Sequence, residues 1–192
     1  MGRASRTDYL KSSPEQLRQS GIGLASCGRG GEVTYHGPGQ LIAYPILELE
    51  EGRRDLHRYL RDLEEVAIRT CADLDVVVER RPGLTGLWWG TRKLASIGVR
   101  ASRWVTSHGL ALNYASDLEG FGHIVPCGLS GVEMVSLHHI LGKIPGRKEL
   151  EERFCYHFSQ VFARQLHSLE PHRYAISEHV QQELPTPESG GG

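Results

Sequence analysis

Residues 94–114, L-A-S-I-G-V-R-A-S-R-W-V-T-S-H-G-L-A-L-N-Y, form a series of short apolar segments separated by glycine and charged residues. β-branched and aromatic residues interrupted by such turn-forming positions are typical of short strands. Similar segments occur just upstream. Together they predict strands at 76–78, 87–89, 94–99, 104–107 and 110–114. The middle of the chain is therefore expected to form a β-sheet.

Segments with helical periodicity lie on either side of these strands. Between Arg54 and Cys71, apolar residues recur at helical spacing while charged residues fill the other side, and a second such pattern extends from about residue 148 to 166. A further strand is predicted at 41–49, with Pro45 marking a bulge or an edge position. This order of elements indicates an α+β fold with a mixed β-sheet flanked by helices.

The chain has 192 residues, which is long enough for one domain that buries its own core without disulfides. We expect a polar, weakly ordered segment at 1–20, the folded domain at 21–168 and a flexible tail at 169–192. The last part of the tail, at 184–192, has proline, glycine and serine residues in a composition typical of a solvated chain end.

Charge and composition exclude several classes of protein. The formal net charge of −1 argues against a general nucleic-acid binder, which carries a basic excess. No apolar run approaches the roughly 20 residues of a membrane span, and the N-terminus lacks the apolar core of a secretory signal. The four cysteines have no C-x-x-C spacing, and no set of ligands has the spacing of a metal site. We therefore expect a cytoplasmic protein with no metal and no nucleic-acid or membrane partner.

One cysteine stands in an unusual setting, I-V-P-C-G-L at 124–129, between a proline that stiffens the chain and a glycine that opens it. Cys127 is thereby a candidate nucleophile, but a free thiol is only slightly ionised at neutral pH and needs activation. An ammonium about 4 Å away contributes about 4 kcal/mol at an effective dielectric near 20. Lys93, which opens the strand at 94–99, is the candidate cation. Spacing alone leaves open that Lys93 is a solvated strand-end residue and Cys127 a small buried one.

Two further segments suggest a binding pocket. At 29–40, R-G-G-E-V-T-Y-H-G-P-G-Q combines glycines that allow close backbone approach with polar side chains, and it fits neither a Walker loop nor a dinucleotide fingerprint. At 108–113, small residues leave room for an apolar substrate tail. His36, His108 and His123 are candidate bases for a Cys–His dyad, and each also fits a structural role.

With these residues in place, the sequence resembles the octanoyltransferases of lipoate biosynthesis, which are members of the biotin/lipoate ligase-like superfamily. The matching blocks are R-G-G-x-x-T-Y-H-G-P-G-Q at 29–40, K-x-x-x-I-G-V at 93–99 with H-G-L-A-L-N at 108–113, and D-L-x-x-F-x-x-I-V-P-C-G at 117–128. The related lipoate ligases, which use ATP, lack a cysteine at position 127 and continue their glycine-rich segment differently from 37–40 here. The resemblance therefore favours a transferase.

The resemblance implies the fold of the biotin/lipoate ligase catalytic domain and a ping-pong acyl transfer without a cofactor. The octanoyl group passes from acyl carrier protein to Cys127, whose ionisation Lys93 promotes. It then passes to a lysine of lipoyl domains, such as those of 2-oxoacid dehydrogenases and the glycine cleavage H protein. The substrate-binding residues that the resemblance implies are Arg29, Gly30, Gly31, Glu32, Val33, Thr34, Tyr35, His36, Ser96, Ile97, Gly98, Gly109, Leu110 and Ala111.

Two departures from the family pattern leave alternatives open. The N-terminal region is shorter than is usual in the family, which is expected to leave a sheet edge and a pocket wall incomplete, and Met134 and Val135 replace the usual valine and threonine. A non-catalytic module that binds the carrier protein or the lipoyl domain is therefore the alternative function, and a thioesterase is a third. For the enzyme, we expect backbone N–H groups of Cys127, Gly128 and the Gly30–Gly31 turn to stabilise an oxyanion.

Overall fold

A computed structural model of the protein describes residues 1–167. The helices are α1 (Pro14–Gln19), α2 (Leu56–Ala72), α3 (Leu137–Leu141) and α4 (Arg147–Phe162). The strands are β1 (Gln40–Ala43), β2 (Leu87–Trp89), β3 (Arg92–Ser102) and β4 (Val105–Asn113). Short 3₁₀ turns occupy Thr7–Tyr9, Glu51–Arg53, Glu119–His123 and Pro126–Gly128.

The four strands form one sheet in the order β1-β4-β3-β2. Every pairing between these strands is antiparallel. The sequence predicts a mixed sheet, and among the described residues the parallel pairing is a single bridge between Lys93 and Met134. Strands β3 and β4 form a long hairpin whose turn residues, Arg103 and Trp104, have φ values of 49° and 64°. Positive φ at both central residues matches the right-handed twist of the strands. The α+β class is confirmed.

Helix α2 lies between the sheet and α4 and carries much of the core. Its N-cap is Asp55, whose carboxylate accepts the N–H groups of His57 and Arg58 at 2.8 and 3.2 Å. Its apolar side, which includes Leu63 and Val66, packs into one cluster with residues of the sheet and of α4. These residues include Leu94, Leu110 and Leu112 of the sheet and Phe154 and Phe158 of α4. The two long helices thus lie close to the positions that their periodicity predicts.

Several predicted strands differ from the observed ones. The predicted strand at 41–49 ends at Ala43, because Pro45 has no N–H to donate and its carbonyl instead accepts the Thr106 hydroxyl at 3.0 Å. Residues 76–78 form no strand, and the nearest pairing is an isolated bridge between Glu79 and Trp88. The strands predicted at 104–107 and 110–114 are one continuous strand, β4. Helix α3 has too few residues to show a periodic pattern.

The N-terminal segment contacts the loops around the candidate site. Gly2 and Ala4 donate backbone hydrogen bonds to Glu32 and Gly31, both at 3.2 Å, and Leu10 forms an antiparallel bridge with Ile124. The domain boundaries proposed from the sequence stay a prediction, and the tail at 169–192 lies outside the described residues. Within residues 1–167, no helix combines the length and apolar character needed to cross a bilayer.

The core position of α2 can be tested with Leu63→Ala. The Leu63 side chain is fully buried, so its truncation leaves a cavity and should lower the free energy of unfolding by about 2–5 kcal/mol. Denaturant unfolding measures this change. The control Ile46→Ala removes a side chain that is 73% exposed and should change stability by less than about 0.5 kcal/mol. Equal effects of the two variants would contradict this packing.

Candidate active site

The loop that carries Cys127 holds this residue in an unusual backbone conformation. Its φ and ψ are 55° and 24°, in the left-handed region, and Gly128 follows with φ of 67°. A non-glycine residue adopts this conformation only where its surroundings hold it there, and such residues concentrate at functional sites. Here the Cys127 N–H donates to Val33 O at 3.0 Å, which ties the loop to the 29–40 segment.

A bulge in strand β3 directs Lys93 toward this cysteine. In the pairing with β2, Leu87 lies opposite Ala95 while Trp88 lies opposite Lys93, so Leu94 is an extra residue on β3. Such a bulge re-aims the side chains beside it. Lys93, Leu94 and Ala95 are consequently all buried, where a regular strand would alternate.

Lys93 and Cys127 form a close pair. The Lys93 Nζ donates to the Cys127 Sγ at 3.1 Å, and the lysine is only 2% exposed. No carboxylate lies within ion-pair distance of this ammonium in the described part of the chain. A buried ammonium is costly without an anionic partner. The interpretation of Lys93 as a solvated strand-end residue is therefore wrong, and the Cys127 sulfur accepts a hydrogen bond from its ammonium.

The pair lines a cavity of about 440 Å³, within the range of roughly 300–1,000 Å³ typical of small-molecule sites. Most of the residues expected to contact substrate line it as well: Arg29, Gly30, Gly31, Glu32, Thr34, His36, Ser96, Ile97, Gly98, Gly109, Leu110 and Ala111.

Val33 and Tyr35 do not line this cavity, unlike the other expected substrate-binding residues at 29–36. Val33 is 2% exposed and packs with Phe121 and Ile124, while the Tyr35 ring meets Phe121 edge to face at 5.4 Å. Side chains alternate along an extended segment, so Val33 and Tyr35 both face a small second core. The cavity therefore does not support a substrate contact for these two side chains.

Three of the N–H groups expected to form a backbone oxyanion hole already donate to backbone carbonyls, so the prediction is wrong for them. The N–H groups of Cys127, Gly128 and Gly30 donate to carbonyls of Val33, Val125 and Val99, at 3.0, 3.1 and 2.8 Å. The groups that approach the sulfur from the cavity lining are side chains instead. Besides the Lys93 ammonium, the Ser96 hydroxyl lies 3.9 Å from the Cys127 Sγ.

The candidate histidine bases do not reach the sulfur in the described structure. His36 lines the cavity, but its ring nitrogens contact Gln40 at 3.1 Å and the Tyr44 hydroxyl at 3.3 Å. Desolvation lowers the pKa of the His36 imidazole, and the nearby Arg29 guanidinium lowers it further against the opposing effect of Gln40. His123 contacts Ser12 at 2.8 Å, away from the cysteine. The pair at this site is therefore Cys–Lys.

Comparison with known proteins places this geometry in a family. Residues 1–159 match the family model described as the lipoyl protein ligase A/B catalytic domain. The octanoyltransferase of Solibacter usitatus is 46% identical over 162 residues, which cover 84% of this chain and 73% of that protein. That of Chloroflexus aurantiacus is 44% identical over 180 residues, or 92% and 78% of the two chains.

The chain belongs to the octanoyltransferases of this family. It is accordingly an acyltransferase.

Solved structures agree on the fold. A lipoate-protein ligase A bound with ATP superposes with a TM-score of 0.72 at 13% identity, covering 85% of this chain and 68% of that one. The biotin protein ligase of Aquifex aeolicus gives 0.54, also at 13% identity and with the same coverage. At this identity the likeness concerns the fold alone.

The structure also brings to the cavity of this acyltransferase residues that the sequence does not single out. Leu56, His57 and Leu60 come from the first turns of α2, and Leu84 and Thr85 come from the loop before β2. The spacing of Leu56 and Leu60 signals only an apolar helix face. No local pattern distinguishes a side chain that faces a cavity from one that packs in the core.

Alkylation with iodoacetamide tests the Lys93–Cys127 pair. Cys127 should react faster than the more exposed Cys155, because the ammonium at 3.1 Å stabilises negative charge on the attacking sulfur. Burial raises the pKa of Cys71 to about 12, so it should stay unmodified in the folded protein. Peptide mass spectrometry assigns each site.

Lys93→Met removes the charge but keeps the length of the side chain. It should slow alkylation of Cys127 by about tenfold or more. The free-energy change behind a tenfold slowing is a fraction of the roughly 4 kcal/mol that such a pair contributes at an effective dielectric near 20. The control Arg92→Met removes the neighbouring cation, which stacks on Trp89, and should leave the rate unchanged. An unchanged rate in Lys93→Met would exclude this role.

Proposed function

We propose that the protein transfers an octanoyl group from acyl carrier protein to a lysine of a lipoyl domain through a thioester on Cys127. The observation that carries this proposal is the buried Lys93–Cys127 pair in a cavity lined by small and apolar residues. The named octanoyltransferase relatives support the same reaction class. A solved neighbour from Thermoplasma acidophilum is described as a bipartite lipoate protein ligase with its E2 lipoyl domain.

In the first half-reaction, the Cys127 thiolate attacks the carbonyl carbon of the incoming thioester. The new C–S bond forms as the carbonyl π electrons move to oxygen, which gives a tetrahedral oxyanion. The Lys93 ammonium and the Ser96 hydroxyl are the donors nearest to this reaction centre. When the intermediate collapses, the C–S bond to the pantetheine arm breaks, and the leaving thiolate takes a proton from Lys93.

The second half-reaction returns the pair to its starting state. The neutral Lys93 amine is now a base beside the acyl-enzyme. The acceptor lysine attacks the thioester carbonyl as a free amine and loses a proton to Lys93 as the amide forms. Cys127 leaves as thiolate, so the ammonium–thiolate pair is restored.

The shape and charge of the cavity support the substrate-binding residues that the sequence predicts. Ile97, Leu110 and Ala111 offer apolar surface for the acyl chain. One carboxylate oxygen of Glu32 is buried without a hydrogen-bond partner in the described structure, which leaves an acceptor for a donor group of an incoming substrate. Gly98 packs closely on the Arg29 side chain, since a Cβ there would lie 3.0 Å from the Arg29 Cδ.

The partners that we propose follow from this reaction. The donor is octanoyl-acyl carrier protein, and the acceptors are lipoyl domains of 2-oxoacid dehydrogenases and the glycine cleavage H protein, in the cytoplasm. Exposed arginines surround the start of α2, next to the cavity-lining Leu56 and Leu60. We propose Arg53, Arg54 and Arg58 as the surface on which an acidic partner docks.

Intact-protein mass spectrometry tests the proposed reaction. The purified chain is mixed with octanoyl-acyl carrier protein and compared with Cys127→Ser, which keeps the size of the side chain and lacks the thiol. We expect one octanoyl group on the unaltered chain, none on the variant, and discharge onto a lipoyl domain. No adduct from a cooperatively folded chain would favour a binding module, and discharge to water alone would indicate a thioesterase.

The role of Ser96 can be tested with Ser96→Ala in single-turnover acylation. Removing an oxyanion donor typically lowers the rate by about 10²–10³-fold, and we expect a decrease toward this range with stability nearly unchanged. The control Ser102→Ala alters an exposed serine at the far end of the same strand and should acylate normally. A normal rate for Ser96→Ala would assign oxyanion stabilisation to Lys93 alone.

A further inference from the structure

A fully buried carboxylate, Glu64 on α2, lies behind the catalytic lysine. Its Oε2 accepts from Arg61 Nη1 at 2.6 Å and from Arg80 Nε at 3.2 Å, and its Oε1 accepts the backbone N–H of Gly86 at 2.9 Å. Glu64 is 0% exposed. A buried carboxylate is retained only with such partners, and here one of them is the backbone at the start of β2.

Gly86 in turn packs against Lys93. Its φ is +114°, which favours glycine, and a Cβ at this position would overlap the Ala95 carbonyl oxygen and lie 2.9 Å from the Lys93 Cε. The Gly86 backbone is therefore a wall beside the end of the lysine side chain. The hydrogen bond that the Gly86 N–H donates to Glu64 fixes the position of that wall.

Trp88, which lies opposite Lys93 in the pairing of β2 with β3, is a second contact of the lysine. Trp88, also fully buried, presents its ring to the Lys93 Nζ at 5.4 Å from the ring centroid. Gly86 and Trp88 belong to the same short segment, so a displacement of Gly86 would change the contacts that both residues make with Lys93. An ammonium that must stay 3.1 Å from the sulfur depends on this segment, because a misplacement of about 1 Å can cost about 10²-fold in rate.

We propose that Glu64 is a positioning residue that holds Lys93 against Cys127 by anchoring the Gly86 backbone. The proposal rests on the Cys–Lys chemistry put forward above. Glu64 itself does not line the cavity and touches neither the sulfur nor substrate. Arg61 and Arg80 donate to its carboxylate and hold it in place, so the network extends from the surface of α2 to the reacting pair.

The test measures alkylation of Cys127 in the whole chain, a reaction that requires no octanoyl donor. Glu64→Leu removes the acceptor for Gly86 with little change in volume. Glu65→Gln is the matched control, because Glu65 also pairs with Arg80, at 2.7 Å, but has no contact with Gly86. Each change is made in the unaltered chain and in the Lys93→Met background, and only molecules that melt cooperatively are compared.

We expect Glu64→Leu to slow alkylation of Cys127 by about 10-fold to 100-fold, with no effect on Cys155. The same change should have no further effect in the Lys93→Met background, because the group that it positions is gone. Glu65→Gln should leave the rate unchanged. A rate for Glu64→Leu equal to that of Glu65→Gln, or an undiminished effect in Lys93→Met, would overturn the proposal in favour of a purely structural role.

Gly86→Ala provides a second variant in case Glu64→Leu does not fold. It keeps the Glu64, Arg61 and Arg80 side chains, while its Cβ meets the Ala95 carbonyl oxygen and the Lys93 Cε and so displaces the wall beside Lys93. It should also slow Cys127 alkylation, and a normal rate would overturn the proposal. If the unaltered chain fails to transfer octanoyl groups while the variants slow Cys127 alkylation as expected, the result would count against the proposed function and leave the positioning role supported.

Discussion

The buried ammonium of Lys93 constrains the whole candidate site. It lies 3.1 Å from the Cys127 sulfur, and in the described chain no carboxylate shares its charge. A lysine that is 2% exposed is costly to bury without a partner, and the Cys127 sulfur accepts a hydrogen bond from its ammonium. The stability of the buried charge and the reactivity of the proposed nucleophile therefore depend on the same contact.

Three distant segments meet to satisfy this constraint. The bulge at Leu94 turns Lys93 into the interior, and the left-handed backbone at Cys127 turns its sulfur toward the lysine. The 29–40 segment supplies the Val33 carbonyl that holds the cysteine loop. Helix α2 adds both the apolar cavity wall and the buried carboxylate of Glu64, so one element of the core also shapes the site.

The sequence predicts which side chains meet at the candidate site better than it predicts the backbone that brings them together. Cys127 and Lys93 are recognisable from their glycine and proline neighbours and from family motifs, and the α2 and α4 helices from their periodicity. The bulge at Leu94 has no local signature, because it arises from pairing with β2. Residues 76–78 have the composition of a strand but form none, and Glu64 looks like one of many charged helix residues. These features depend on tertiary contacts, which composition and spacing do not encode.

The most direct test is a double-mutant cycle between Lys93 and Cys127, measured as the free energy of unfolding. Cys127→Ala removes the sulfur that the buried Lys93 ammonium contacts at 3.1 Å, so we expect it to destabilise the unaltered chain and to have a much smaller effect in the Lys93→Met background. Equal effects of Cys127→Ala in the two backgrounds would contradict this structure of the site, because the two side chains would then be uncoupled.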